Sequence, residues 1–162
     1  MERISIYKVK YTSQIVDYPS KEFDKYSAKI KNLFRVREPS MTFDFSILRR
    51  CKLLILKNEV SNMIYGLIIM HDFGSKYNLF IYYIIGNPNY KDVNVPLLFK
   101  FYDYASSNRY NNAMVIFPKD RFWLKSIFKR EGYKKLKNYS RLKLFKKNKK
   151  YYIYKKKIYY VI

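Results

Sequence analysis

Residues 3–11, "RISIYKVKY", alternate between apolar and polar positions, with Ile4 and Ile6 on one side and Tyr7 and Val9 on the other. That period predicts a first strand. From Ser20 the spacing becomes helical, with Phe23, Tyr26, Ile30 and Leu33 or Phe34 recurring on one face and Ser20 placed to cap the N-terminus. "REPS" breaks that helix, and residues 41–50 predict a second, short one. Two apolar runs follow, at residues 52–57 and 63–71, joined by a turn near Ser61 and Asn62. After a second turn, "YNLFIYYIIG" (77–86) is continuous, β-branched and aromatic, the pattern of a strand central in a sheet. Gly86 and Pro88 end it.

Residues 95–110 return to helical spacing through Leu97, Leu98, Phe101, Tyr104 and Ala105, and "NNAMVIF" (111–117) predicts a short buried strand. Asp120 can cap a helix whose apolar face is Phe122, Leu124, Ile127 and Phe128, and Gly132 stops it. "YKKLKNY" and "RLKLFKK" predict two more strands, and "YYIYKKKIYYVI" one further strand or hairpin partner. The order β α α β β β α β α β β predicts one α/β (α+β) domain with a mixed sheet and helices on both faces. The length of 162 residues and an apolar fraction of 49% are enough for one substantial core.

The single cysteine, Cys51, excludes an intrachain disulfide framework and a cysteine metal cluster, and in "CKLLILK" it reads as a small buried hydrophobe. Such cysteine usage points to a reducing compartment or the inside of a particle. The single histidine, His71, excludes two-histidine metal sites, and Ser-His-Asp or Cys-His catalysis of the usual kind. No metal is expected. There is no P-loop, no G-x-S-x-G elbow, no EF-hand loop and no paired-carboxylate site. No apolar run is long enough for a membrane helix, and the first residues lack a signal peptide's apolar core. A soluble, non-secreted protein of cytoplasm, virion or organelle matrix is the expectation.

The net charge of +22 changes the picture most. It implies a polyanionic partner, either nucleic acid or an acidic protein, or an anionic surrounding. Abundant Lys, Asn, Ile, Tyr and Phe also fit an AT-rich genome, although that bias does not account for the scarcity of Asp and Glu. The charge is concentrated: after Glu131 no acidic residue occurs, while twelve Lys or Arg fall between Lys134 and Lys157, interleaved with tyrosines. Cations beside aromatic rings suit single-stranded nucleic acid; a lysine-rich, solvated strand edge is the alternative. The candidate phosphate contacts are Lys134, Lys135, Arg141, Lys143, Lys146, Lys147, Lys149 and Lys150.

The order of elements, together with "FIYYIIGNPNYKDVNVPLLFKFYDYA" and "WLKSIFKREGYKKL", resembles the GNAT superfamily of acyl-CoA-dependent N-acyltransferases. "IFKREGY" is similar to that family's Leu-Tyr-x-Lys-x-Gly-Phe, and "MVIF" to its fifth strand. The likeness runs from about Leu53 to Lys147. It implies a fold in which the fourth strand ends at a splayed gap. A loop and helix N-terminus then bind the pyrophosphate of acetyl-CoA through backbone N–H groups. On this chain that role falls to Ile84, Ile85, Asp92, Val93, Asn94, Val95 and Leu97. The expected organisation is a GNAT-like domain over residues 1–147 with a basic, tyrosine-rich C-terminal extension over 148–162 packed on the same domain.

Three departures accompany the resemblance. Asp92 and Asn94 stand where the family's pyrophosphate loop has glycines, and Pro96 removes one donor from the helix's first turn. Phe128 stands where a tyrosine often serves as general acid, and phenylalanine has no proton to give. Arg121 and Leu124 stand where Asn and Ala often contact the cofactor. No carboxylate lies in the fourth strand. Tyr82 and Tyr83 could orient water, although packing is the simpler reading. His71 is the one side chain whose ordinary pKa suits base work near neutrality. Two functions follow as expectations: acetyl transfer from acetyl-CoA to an amine, or a catalytically inactive structural or nucleic-acid-associated protein, such as a phage virion or organelle ribosome component.

Overall fold

The computed structural model describes residues 2–37, 50–118, 121, 123–136 and 151–158. Seven strands form the main sheet: β2 (Tyr11–Tyr18), β3 (Cys51–Asn58), β4 (Ile64–His71), β5 (Asn78–Gly86), β7 (Asn112–Pro118), β8 (Lys134–Lys135) and β9 (Tyr151–Lys157). Their spatial order is β2-β3-β4-β5-β7-β9-β8, antiparallel throughout except for the parallel β5–β7 pair. Two short strands, β1 (Ile4–Ser5) and β6 (Tyr90–Lys91), pair in parallel as a separate ribbon. Helix α1 (Lys21–Arg37) covers one face, and α2 (Asn94–Ser107) and α3 (Trp123–Arg130) lie against the other. The expected mixed sheet with helices on both faces is what the chain forms.

The two faces follow from strand alternation. Leu53, Ile55, Leu67, Ile69 and Ile85 point to α1, where Phe23, Tyr26, Ile30, Leu33 and Phe34 meet them. Leu54, Leu56, Ile68, Ile81 and Ile84 point to α2 and meet Leu97, Leu98, Phe101 and Ala105. Each fully buried Leu, Ile or Phe contributes about 1.5–3 kcal/mol relative to exposure, so these two layers supply most of the drive to fold. Ser20 caps α1 as expected, its Oγ accepting the Phe23 N–H at 3.0 Å. Asn62, at the tip of the β3–β4 turn, has φ 56°. Gly132 ends α3 with φ 88°, a conformation open to glycine at little cost.

The N-terminal segment differs from expectation. The alternating run at residues 3–11 does not form one strand: Ile4–Ser5 is a short strand, and Ile6–Lys8 a 3-10 turn capped by Ser5. The reason is Ile6, fully buried in the α2-side core, which pulls the backbone out of extension. The first long strand is instead β2, "YTSQIVDY", an edge strand that keeps polar residues on its half-exposed surface. All of the predicted helix at 41–50 but Arg50, and the predicted strand at 141–147, fall outside the described residues, and only Lys134–Lys135 of the strand expected at 133–139 is a described strand. Residues 151–157 are not peripheral to the sheet: β9 lies between β7 and β8, pairing with β7 from Asn112↔Lys157 to Pro118↔Tyr151.

Candidate functional site

The parallel β5–β7 pair is hydrogen-bonded only over residues 78–81 and 112–115. Beyond Ile81, β5 runs on to Gly86 with β4 on one side and no ladder to β7 on the other. A strand without its neighbour exposes a row of N–H and C=O groups along that edge. The gap is lined by Tyr82, Tyr83 and Ile84 from β5, by Ile116 and Phe117 from β7, and by Arg121, Leu124 and Phe128 from the α3 region. Inside, the Arg121 guanidinium lies 4.6 Å from the centre of the Tyr83 ring, and Arg121 is only 7% exposed. The enclosed cavity is about 10 Å³, room for about one water.

The loop after β5 leads into α2. The Asn87 N–H donates to the Tyr65 carbonyl at 2.7 Å, and the Asn87 side chain accepts the Asn89 N–H at 3.0 Å. The N-terminal ribbon straps this loop: Arg3 donates to the carbonyls of Pro88 and Tyr90 at 3.1 and 2.8 Å, and the Ile4 N–H to that of Asn89 at 3.0 Å. Val93 and Leu97 then sit on Gly66 of β4. A Cβ there would come within 2.7 Å of Val93 and 3.0 Å of Leu97. Gly86, the direct cross-strand partner of Gly66, lies beneath Val93 as well. Two facing glycines thus let the N-terminus of α2 rest on the sheet at the mouth of the gap.

Asp92, just before α2, has φ 65°. This left-handed conformation favours glycine, and Asp and Asn are the side chains that tolerate it best. A position where the resembled motif has glycine therefore keeps a glycine-like backbone with an aspartate on it. No side chain caps α2, and its first turn carries no acidic residue. That leaves the positive end of the helix dipole open at the gap.

The expected cofactor residues divide in two. Ile84, Ile85, Val93 and Leu97 are buried core side chains and can offer a ligand only their backbones. Asp92 and Val95 are exposed and Asn94 half-buried, all at the α2 N-terminus. Arg121 and Leu124 both line the gap. Phe128 has no exposed surface; its ring stacks on Phe117 at 6.1 Å and meets Tyr133 edge-on at 5.1 Å. Near Phe128, Tyr102 donates to the Tyr133 hydroxyl at 3.0 Å, and burial pushes both phenols well above their ordinary pKa.

His71 stands elsewhere. It pairs with Phe80 near the start of β5, whereas Gly66↔Gly86 marks the gap end of the same two strands. Its Nδ1 accepts the Phe73 N–H at 2.6 Å, its ring stacks on Phe73, and burial lowers its pKa. It lines a different cavity, of about 600 Å³, with Asp17, Cys51, Lys52, Asp72 and Tyr110. Lys52 is paired with Asp17, and Tyr110 donates to Asp72 at 2.9 Å. Burial pushes the Cys51 thiol up to about 12, so it is an inert packing group. Nothing in the sequence pointed to this cavity, because the residues that shape it come from four separate strands and turns.

Lys134 and Lys135 form β8; Arg141, Lys143, Lys146, Lys147, Lys149 and Lys150 lie outside the described residues. Among the described residues there is no group of three or more His, Cys, Asp or Glu placed to hold a metal ion, and no helix long and apolar enough to cross a membrane.

No protein-family model matches the chain, and no curated protein matches it in sequence. Solved structures do. Gcn5 from Tetrahymena is 15% identical with a TM-score of 0.71, the match covering 93% of this chain and 98% of that one. A GNAT-family acetyltransferase from Staphylococcus aureus Mu50 is 12% identical with a TM-score of 0.68, covering 91% of this chain and 100% of its own. A GNAT-family acetyltransferase from Elizabethkingia anophelis, solved with acetyl-CoA bound, is 13% identical with a TM-score of 0.62, covering 91% and 97%. The class is defined by these likenesses: the chain has the GNAT acetyltransferase fold. At such identities it is the fold that is shared, with a sequence far diverged from these examples.

Proposed function

We propose that the protein is an acyl-CoA-dependent N-acyltransferase, moving an acetyl group from acetyl-CoA to an amine. The observation that carries this reading is the loss of β5–β7 pairing after Ile81, beside an uncapped α2 N-terminus. The residues present fit acetyl-CoA in two ways. The open β5 edge from Tyr82 to Gly86 offers backbone donors and acceptors to the amides of a pantetheine arm, as an added strand would take them. The N-terminus of α2 offers a pyrophosphate chiefly the helix dipole, since Pro96 has no N–H and those of Val95 and Leu97 donate to the Asp92 and Val93 carbonyls at 3.2 and 3.3 Å. When bound, the cofactor supplies the thioester.

The chain's own part is positioning. No carboxylate or histidine lines the gap among the described residues, and Phe128 cannot donate a proton. An incoming amine would therefore arrive neutral or lose its proton to water, and the rate enhancement would come from holding it against the thioester. Arg121, stacked on Tyr83, would have to move or shape the cofactor's path.

A second reading rests on Phe128 and on the small space beside Arg121: the fold has kept its frame and lost its chemistry, serving a structural or nucleic-acid-associated role. One experiment separates the two. Thermal melting with millimolar acetyl-CoA should show a rise in Tm by mass action, followed by release of free thiol on addition of polyamines or lysine peptides. Absence of any shift removes acyl-CoA binding; a shift without thiol release across an amine panel favours the second reading.

A further inference from the structure

The lysines of β8 and β9 do not line the β5–β7 gap, yet they are arranged by the sheet. In the β8–β9 register Lys134 stands directly opposite Lys155. Directly paired residues share a face, so two like-charged side chains leave the sheet side by side, an arrangement that destabilises a bare sheet. Among the described residues no carboxylate is bonded to either. Lys157, two residues on, adds a third cation to the same face, about 7 Å along the strand. On the other face, Lys135 and Lys125 of α3 bring their Nζ atoms to 4.9 and 5.6 Å from the centre of the Tyr152 ring.

Residues 123–136 and 151–158 carry eight Lys or Arg against a single acid, Glu131. Glu131 is already engaged, with Lys156 Nζ at 4.0 Å and the Tyr102 hydroxyl at 3.5 Å. The described large hydrophobic side chains that reach solvent, such as Tyr7, Val60, Tyr77, Val95 and Phe99, all lie in other elements. Among the described residues, this edge therefore carries no exposed apolar wedge for a lipid surface. Among the described residues it carries Lys134, Lys155 and Lys157 on one face and, on the α3 face, the Tyr152 ring beside Lys125 and Lys135.

We propose that the β8–β9 edge, with the facing side of α3, is a docking surface for single-stranded nucleic acid. Phosphates would neutralise the opposed Lys134–Lys155 pair, to which no carboxylate is bonded among the described residues, and on the α3 face Tyr152 would meet a base plane. A regular strand spaces its charges evenly, as a phosphodiester backbone does. The surface is separate from the β5–β7 gap and does not depend on acyl-CoA chemistry.

The test is fluorescence anisotropy of labelled uridine and thymidine 20-mers and of a DNA duplex against salt, between about 50 and 200 mM. Binding of the single strands should weaken linearly in log salt. Replacing Lys134→Gln and Lys155→Gln together should weaken it several-fold and reduce the slope by about 0.7 per lost contact. With no oligonucleotide present the same double variant should melt no lower than the parent, since it removes a repulsion. A parent that does not bind, a slope unchanged in the variant, or equal affinity for polyglutamate would each overturn the proposal; the last would point to an acidic protein partner. Tighter binding of the duplex would overturn the role given to Tyr152.

Discussion

Val93 stands on Gly66: a Cβ on that glycine would lie 2.7 Å from Val93 Cγ1 and 3.0 Å from the Ile85 carbonyl oxygen. The carbonyl belongs to the β4–β5 ladder and has little room to yield. A Gly66→Ala substitution should therefore cost about 1–3 kcal/mol, the range for overpacking a filled core. Its further effect should be to lift the α2 N-terminus off the sheet. Thermal melting measures the first effect, and loss of the acetyl-CoA-induced rise in Tm the second. An unchanged melting temperature would mean that Val93 can turn aside freely.

Asp92→Gly should act in the opposite direction. Residue 92 keeps its left-handed conformation without a side chain to strain it, and a carboxylate disappears from beside the proposed pyrophosphate site. Acetyl-CoA affinity, read by isothermal titration, should rise several-fold, with Asp92→Asn giving a smaller gain from charge alone. If Gly and Asn behave alike, charge rather than backbone conformation governs the loop.

Phe128→Tyr tests whether the missing tyrosine is the missing catalyst. Phe128 is fully buried between Phe117 and Tyr133, so a new hydroxyl there enters an apolar site. An unsatisfied buried hydroxyl costs about 1–3 kcal/mol. The expected result is a lower Tm with no gain in thiol release. A tenfold or larger gain in activity would show that the position still addresses the leaving thiolate.

Acid should weaken the fold partly through His71. Burial holds its folded pKa below the ordinary 6.5. The unfolded chain therefore binds a proton at higher pH than the native one, and that part of stability is complete above about pH 6.5 and declines as pH falls through the folded value. Tm followed from about pH 7.5 to about pH 5 should fall more steeply in the parent than in His71→Gln. Parallel curves would remove His71 as a contributor.

How much of this was legible in the sequence varies with how local the cause is. Turns at Asn62 and Gly132, the Ser20 cap and the apolar strand β5 depend on neighbours within a few residues, and the pattern named them. The 3-10 turn at Ile6–Lys8 was not legible, because it depends on a core that β4, β5 and α2 build around Ile6. The gap could be placed only through the family likeness: no local pattern says where a parallel strand will lose its partner. Asp92 looked like a plain loss of glycine. The structure adds that its backbone conformation has been kept, which residue identity alone could not convey. The opposition of Lys134 and Lys155 needed the register, which is set across a connection of more than a dozen residues.

The position of β9 has a consequence in time. Val115 pairs with Tyr154, and Asn112 with Lys157, so the half of the sheet beyond β5 is closed by a segment made some forty residues after β7. While the chain is being made, β7 waits with an open edge, and the core around Phe117 and Phe128 lacks the Tyr154 ring that stacks on Phe117 at 5.7 Å. Long-range pairing of this kind is slow to form and exposes sheet edges meanwhile. The lysines and arginines made between β7 and β9 are then in place before the fold is complete. Mutual repulsion between nascent chains is then expected to keep their open β7 edges apart until residues 151–157 arrive to close them.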